Sequence, residues 1–151
     1  MLLAALIEVI TAEPLERYIE REVMAPLDLG DTGLAARDSD VAQLSAGHDA
    51  KGRRDDAAYR DDGIAPIGGL YATVDDLVVR ARAQTDPSAR SAACIAAPSG
   101  WAQGERFGRR AMWHAGLTNS HAGFVPRFRD EDSLIVALGN RGGKSAVLGR
   151  W

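Results

Sequence analysis

The apolar residues of this chain change their period once, and that change restricts the folds open to it. Near the start, Leu2, Leu3, Leu6, Ile7 and Ile10 form one helical stripe. Leu15, Tyr18, Ile19 and Val23 form another, with Glu and Arg on the opposite face. In the last third the pattern turns to strands: "RRAMWHAG", "HAGFVPRF" and "SLIVALGN". The last of these is a continuous apolar run, as a buried central strand would carry. "RDED", Arg129 to Asp132, is a tight polar turn between the second and third. Helices first and an antiparallel meander last give an α+β arrangement, N-terminal helices plus a C-terminal antiparallel sheet. No internal repeat and no dividing linker occurs, so residues 1–151 read as a single domain.

Punctuation between these elements follows from backbone chemistry. Pro14 suits the first turn of the second helix, where its missing N–H would have been unpaired, and Pro26 stops that helix. "DLGDTG", Asp28 to Gly33, is turn chemistry. From Ala35 to Gly63 the chain is polar, with "KGRRDD" in the middle; it reads as a surface excursion or short hairpin whose charges are solvated. In "GGLYATVDDL", Gly68 and Gly69 allow unusual angles or close approach, and Thr73 with Asp76 makes a capping-box-like pair opening a helix through Leu77, Val78 and Ala81. "AQTDPSARS" ends that helix.

Composition excludes several classes. The apolar fraction is 46% and the charged fraction 26%, values of a folded globular chain. Net charge is −3 with no basic stripe, which argues against nucleic acid as a partner. The single cysteine, Cys94, rules out an intrachain disulfide and reads as a plain thiol in a run of small residues. "MLLAALIEVI" has no positive leader, and Glu8 interrupts it well short of the ~18 apolar residues of a membrane span, so it reads as a core helix. That helix has no capping residue before it, whereas leading N–H groups normally find a cap or water.

The motifs of common catalysts are missing. Neither Gly-x-Ser-x-Gly nor Ser-x-x-Lys occurs, because His48 and Arg141 stand three positions before the two lysines, Lys51 and Lys144. Tyr18, Tyr59 and Tyr71 begin no Tyr-x-Asn. His48, His114 and His121 lack zinc-binding spacing, and "GNRGGK" lacks that of a phosphate loop and reads as a polar exit from the sheet. No metal and no cofactor are expected. What remains is "AMWHAGLTNSHAGF", residues 111 to 124, the densest group of chemically able side chains. The residues alone leave His114 open between a strand-end histidine with a satisfied hydrogen bond and a member of a site. His121, Asn119 and Ser120 read as turn and strand residues.

Three blocks in order resemble one family. "WHAGLTNSHAGFVPRFRDEDSLIVALGNRGG" is similar to the third-motif strand and following hairpin of serine beta-lactamase-like hydrolases, a group including class C beta-lactamases, DD-peptidases and esterases. In many of these His-x-Gly replaces Lys-Thr-Gly. "LLAALIEVITAEPLERYIEREVMAPLDLGDTGL" and "APIGGLYATVDDL" resemble two further family segments, the second a Pro-x-Gly-Gly-Leu-Tyr-Ser-Thr-x-x-Asp-Leu element. The resemblance implies part of a beta-lactamase/transpeptidase-like fold. His114 would take the third-motif cationic or hydrogen-bonding role, Gly116 would let substrate approach, and the Leu117 N–H would be one oxyanion donor. Trp113 would face the other side of the strand.

By the same resemblance, Ser-x-x-Lys and Tyr-x-Asn belong upstream of Met1. The expectation is therefore a C-terminal portion of a serine hydrolase, inactive alone, that takes a small-molecule acyl substrate (beta-lactam, peptide or ester) when completed by an N-terminal portion. A non-catalytic interaction module and a degenerate stand-alone domain are the alternatives. A large apolar patch around Leu2, Leu3 and Ile7 would mark the incomplete hydrolase.

Overall fold

A computed structural model describes residues 2–34, 42–55, 65–83 and 100–143. Cys94, Tyr59 and residues 84–91 of the stretch read as ending the helix through Leu77 lie outside them. The fold is α+β, with the helices early and an antiparallel sheet late. It divides into two compact units, residues 1–44 with 59–94 and residues 45–58 with 95–151.

The first unit opens with α1, Leu2–Thr11, which ends where Ala12 adopts a positive φ of 55°. α2, Leu15–Ile19, follows, and Pro14 stands before it as its N-cap, outside the first turn in which the sequence put it. Proline offers no capping side chain. The carboxylate of Glu8 does this work instead, accepting the N–H of Leu15 at 2.9 Å. The residue that interrupts the first apolar run is thus the cap of the next helix.

Beyond α2 the ladder widens to π spacing over Glu20–Met24 and tightens to a 3-10 turn over Ala25–Leu27. Pro26 has no N–H to give, so a regular α ladder cannot run through it. The chain does not stop at Pro26, as the sequence indicated. It stops two residues later, where Asp28 turns left-handed at φ 54° and the Leu29 N–H reaches the Met24 carbonyl at 3.0 Å.

The expectation that the first helix is a core helix is corrected. No residue of α1 is buried, and Leu2 and Leu3 are 84% and 75% exposed. The core of this unit lies further on, at Leu15, Met24, Leu29, Leu34, Ala81 and Ala83.

A two-residue pairing ties the middle of the unit together: β1, Gly33–Leu34, runs antiparallel to β4, Leu70–Tyr71. A Cβ on Gly33 would fall 2.1 Å from the Tyr71 hydroxyl, so only glycine lets the ring lie there. Between them in sequence is α3, Ala65–Gly68. Gly69 closes it, with Ala65 Cα 2.5 Å from where its Cβ would stand.

The helix α4, Val74–Ala83, starts at Thr73, whose hydroxyl accepts the Asp76 N–H at 3.3 Å. The reciprocal half of the capping box is absent. The buried Asp76 carboxylate turns instead to the Asp28–Gly33 turn and accepts the Asp31 N–H at 3.0 Å and the Thr32 hydroxyl at 2.7 Å. That explains the turn better than composition does: its shape is held by a carboxylate 44 residues away. Replacing Asp76 by Ala removes a buried carboxylate and both hydrogen bonds that it accepts, and should cost about 1.5–3 kcal/mol, as bonds to a charged group do. Thr73→Ala removes one cap and should cost about 1 kcal/mol or less. Urea melts of both variants check the order; a larger loss for Thr73→Ala would show that Asp76 holds nothing.

Candidate functional site

The second unit carries the stretch 111–124. β2, Gly47–His48, pairs antiparallel with β3, Arg54–Asp55, the hairpin allowed for in the polar excursion. The sheet then runs in the order β5 (Ala102–Arg106), β6 (Arg109–Leu117), β7 (Ala122–Phe128), β8 (Ser133–Leu134), with β9 (Ala137–Gly139) also pairing β7. β5 was not read from the sequence, because Ala-Gln-Gly-Glu-Arg shows no apolar alternation.

The apolar run at 133–140 is not the unbroken central strand its composition indicated. It lies beyond β7 as two short pieces in a single register, Arg127 opposite Leu134 and Phe124 opposite Ala137. The break falls opposite Pro126, which donates no N–H to a ladder. Only the Ile135 N–H to Pro126 carbonyl bond, 3.0 Å, spans it.

Two turns set the register of β6. Phe107 and Gly108, at φ 55° and 72°, make the two-residue connection from β5, and the pair Arg106–Arg109 closes it. At the other end Thr118 donates its N–H to the His121 carbonyl at 2.9 Å, and its hydroxyl accepts the N–H groups of Ser120 and His121 at 3.3 and 2.9 Å. In an antiparallel pair the hydrogen-bonded positions alternate. The closing pair 118–121 therefore points the polar groups of Gly116 and His114 toward β7. Those of Leu117, Ala115 and Trp113 point the other way, toward β5. But β5 begins at Ala102, opposite Trp113. Among the described residues no strand pairs with Ala115 or Leu117 on that side, and their N–H and C=O groups line a free edge.

His114 and Gly116 share a face of β6 beside this edge. His114 is exposed, and Trp101 sets its ring edge-on to the imidazole, 6.2 Å between centroids and 62° between planes. The space where a Gly116 side chain would stand is open to 4 Å. Trp113 lies on the opposite face, as alternation requires. It packs against Gly104, and the Arg106 guanidinium lies 3.8 Å from its ring centre. Trp101 was missed in the sequence. The signal was the Phe-Gly turn: counting back from the Arg106–Arg109 pair sets residue 101 opposite 114.

A serine, a histidine and an aspartate also converge nearby, but in the wrong connection for a nucleophile. Ser120 is 1% exposed and donates its hydroxyl to the Asp55 carboxylate. The His48 ring meets the Asn140 carbonyl at 3.2 Å rather than the serine. Without an imidazole on its oxygen and without access, this serine is structural. Among the described residues no group of three or more His, Cys, Asp or Glu is arranged to hold a metal ion. In the first unit a cavity of about 320 Å³ is lined by Glu16, Glu20, Asp28, Met24, Leu29 and Tyr71, with no assembled acid–base pair.

The whole of this architecture, residues 1–150, matches the family model described as Beta-lactamase. The chain belongs to the Beta-lactamase family. No curated protein matches it. Its relation to serine hydrolases, carried in the sequence by three separate blocks, is thereby established at family level. Beta-lactamase family proteins act on small molecules. Among the described residues no helix is long and apolar enough to cross a membrane.

The hairpin below the site has its own lock. The Asp49 carboxylate accepts the N–H groups of Lys51 and Arg53, both at 2.9 Å, and the Arg53 guanidinium at 2.7 Å. These bonds, the Arg53 N–H foremost, hold its carboxyl below the ordinary 3.8. The folded value lies below the unfolded one, so this contribution is full above the usual carboxylate range and is lost as pH falls through the folded value. The amide signals of Lys51 and Arg53 should therefore titrate together with a midpoint below 3.8 in an NMR pH series. A midpoint at or above 3.8 would mean that the lock is open in solution.

Proposed function

We propose that the chain forms the third-motif side of an acyl-transfer site in a beta-lactamase-like serine hydrolase that cleaves a beta-lactam, peptide or ester. The observation that carries the reading is the free edge at Ala115 and Leu117, with the exposed His114 and the open Gly116 beside it. A tetrahedral acyl intermediate needs fixed donors where negative charge develops, and a strand N–H pointing into open space is such a donor. The Leu117 N–H takes this part. His114 donates a hydrogen bond to the substrate's polar group, and Gly116 leaves room for the substrate to approach. The nucleophilic serine comes from an N-terminal portion carrying Ser-x-x-Lys and Tyr-x-Asn. Its oxygen attacks the acyl carbon, the acyl C–N or C–O bond breaks, and the amine or alcohol leaves with the proton given up by the serine. Water then hydrolyses the acyl-enzyme ester, returning a proton to the serine oxygen. Without that portion the covalent route is closed, and only binding remains.

Support for completion by further protein comes from α1. Leu2, Leu3, Leu6, Val9 and Ile10 are all at least half exposed on a single ten-residue helix. Isolated exposed leucines are ordinary, but an apolar patch of this density marks a contact surface.

Intact-mass measurement of the native gene product, before and after a fluorophosphonate or penicillin probe, tests the reading. The expected result is a species well above 16.1 kDa that gains one probe adduct. In that product His114→Ala should lower kcat/KM at least tenfold, about 1.4 kcal/mol or more of transition-state binding. A soluble monomer at 16.1 kDa that takes up neither probe would sink the proposal and leave a binding module or a degenerate domain.

A further inference from the structure

The end of β6 is positioned by residues far from it in sequence. The turn Asn119–Ser120 follows directly on Leu117 and Thr118. The hairpin β2–β3 grips Ser120 at two points, and Ser45, two residues before β2, holds His121 at a third. The buried Ser120 hydroxyl donates to Asp55 on β3. The Ser120 carbonyl accepts the His48 N–H at 3.4 Å, and the His121 Nε2 meets the Ser45 carbonyl at 3.1 Å. From the other side the exit of β9 closes on the same turn. A Cβ on Gly142 would lie 1.7 Å from the Asn119 carbonyl oxygen, so the two backbones touch with no side chain between them. The exit is itself fastened to the hairpin. The Gly142 N–H reaches the His48 carbonyl at 2.8 Å, the Asn140 side chain the Ala46 carbonyl at 3.0 Å, and the Arg141 guanidinium the Ala50 carbonyl at 2.7 Å.

Of these anchors the Asp55–Ser120 bond is the only one made between two side chains. It is charge-assisted, and it ends on a group with almost no access to water. A hydroxyl so buried that loses its acceptor must turn to find another, and the two-residue turn is too short to absorb that movement within itself. We infer that Asp55, acting through the Ser120 hydroxyl, is a positioning residue that fixes the direction of the Leu117 N–H at the free edge of β6. The inference rests on the proposed function for its significance: a donor for an oxyanion must be held within about half an ångström of its productive place. The placement itself does not depend on that function.

Amide NMR on the uniformly labelled chain tests the placement without a substrate. Asp55→Ala and Ser120→Ala should each move the amide signals of Gly116, Leu117 and Thr118 and raise hydrogen exchange at Thr118 at least tenfold. Combining them should add nothing to either single change. Asp55→Asn keeps an acceptor for the hydroxyl and should restore exchange at Thr118 to within about threefold of the parent. Arg110→Ala breaks the exposed Arg110–Asp130 pair at the opposite end of the same strand and should leave all three signals in place. Should the alanine variants unfold, Asp55→Glu, longer by one methylene on a partly exposed side chain, should displace the same signals. Shifts confined to the neighbours of residues 55 and 120, or additive effects in the double variant, overturn the inference. Displaced signals in a native product that takes up no acylating probe would overturn the proposed function and leave the positioning role standing.

Discussion

The two strands that flank β6 are offset along it, one pairing with its later part and the other with its earlier part. β7 follows β6 from Met112 to Leu117, whereas β5 reaches only as far as Trp113. An antiparallel strand shows its polar groups alternately to either side, so this offset leaves Ala115 and Leu117 with donors and acceptors directed at no neighbouring strand among the described residues. Every feature of the candidate site follows from that mismatch. Trp101, the last residue before β5, stands beside His114 because the strand begins there. Leu117 directs its N–H to a side on which, among the described residues, no strand pairs with it.

Pinning such a segment needs contacts from outside the sheet, and these come from the residues with the least apolar character in the chain. The β2–β3 hairpin and the glycine-rich exit after β9 bury little hydrocarbon. They work by backbone carbonyls, one carboxylate and the absence of side chains at Gly142 and Gly143, where even a methyl group would meet the Asn119 carbonyl or Ala50. Polar contacts of this sort add little net stability, but an unmet buried group is costly, so they choose one geometry over its neighbours.

Where periodicity decides structure, the sequence was readable. β6, β7 and α4 fall within a residue or two of their apolar patterns, and the three family blocks carry the family in their residues alone. Misreadings occurred where a residue acts at a distance. Asp76 has the spacing of a capping box yet serves a turn 44 residues earlier, and Glu8 looks like a surface charge yet caps the next helix. Ser120 reads as an ordinary turn serine, and Asp55 as one charge in a solvated run. Their partnership spans 65 residues and has no local signature. The leucines of α1 met the period of a buried face while lying exposed, because period reports which side is apolar and not what covers it.

Pro126 has a consequence beyond breaking one rung. A sheet ends in an edge strand, and a long edge of unpaired N–H and C=O groups is a template on which another chain can grow. Here the 133–139 segment is divided into pieces of two and three residues, below the five or six of an ordinary strand. Among the described residues, a chain arriving on that side would meet two short paired stretches with a poorly paired step between them. The proline on β7 thus acts one strand away from itself, as a gatekeeper built into the interior neighbour of the edge.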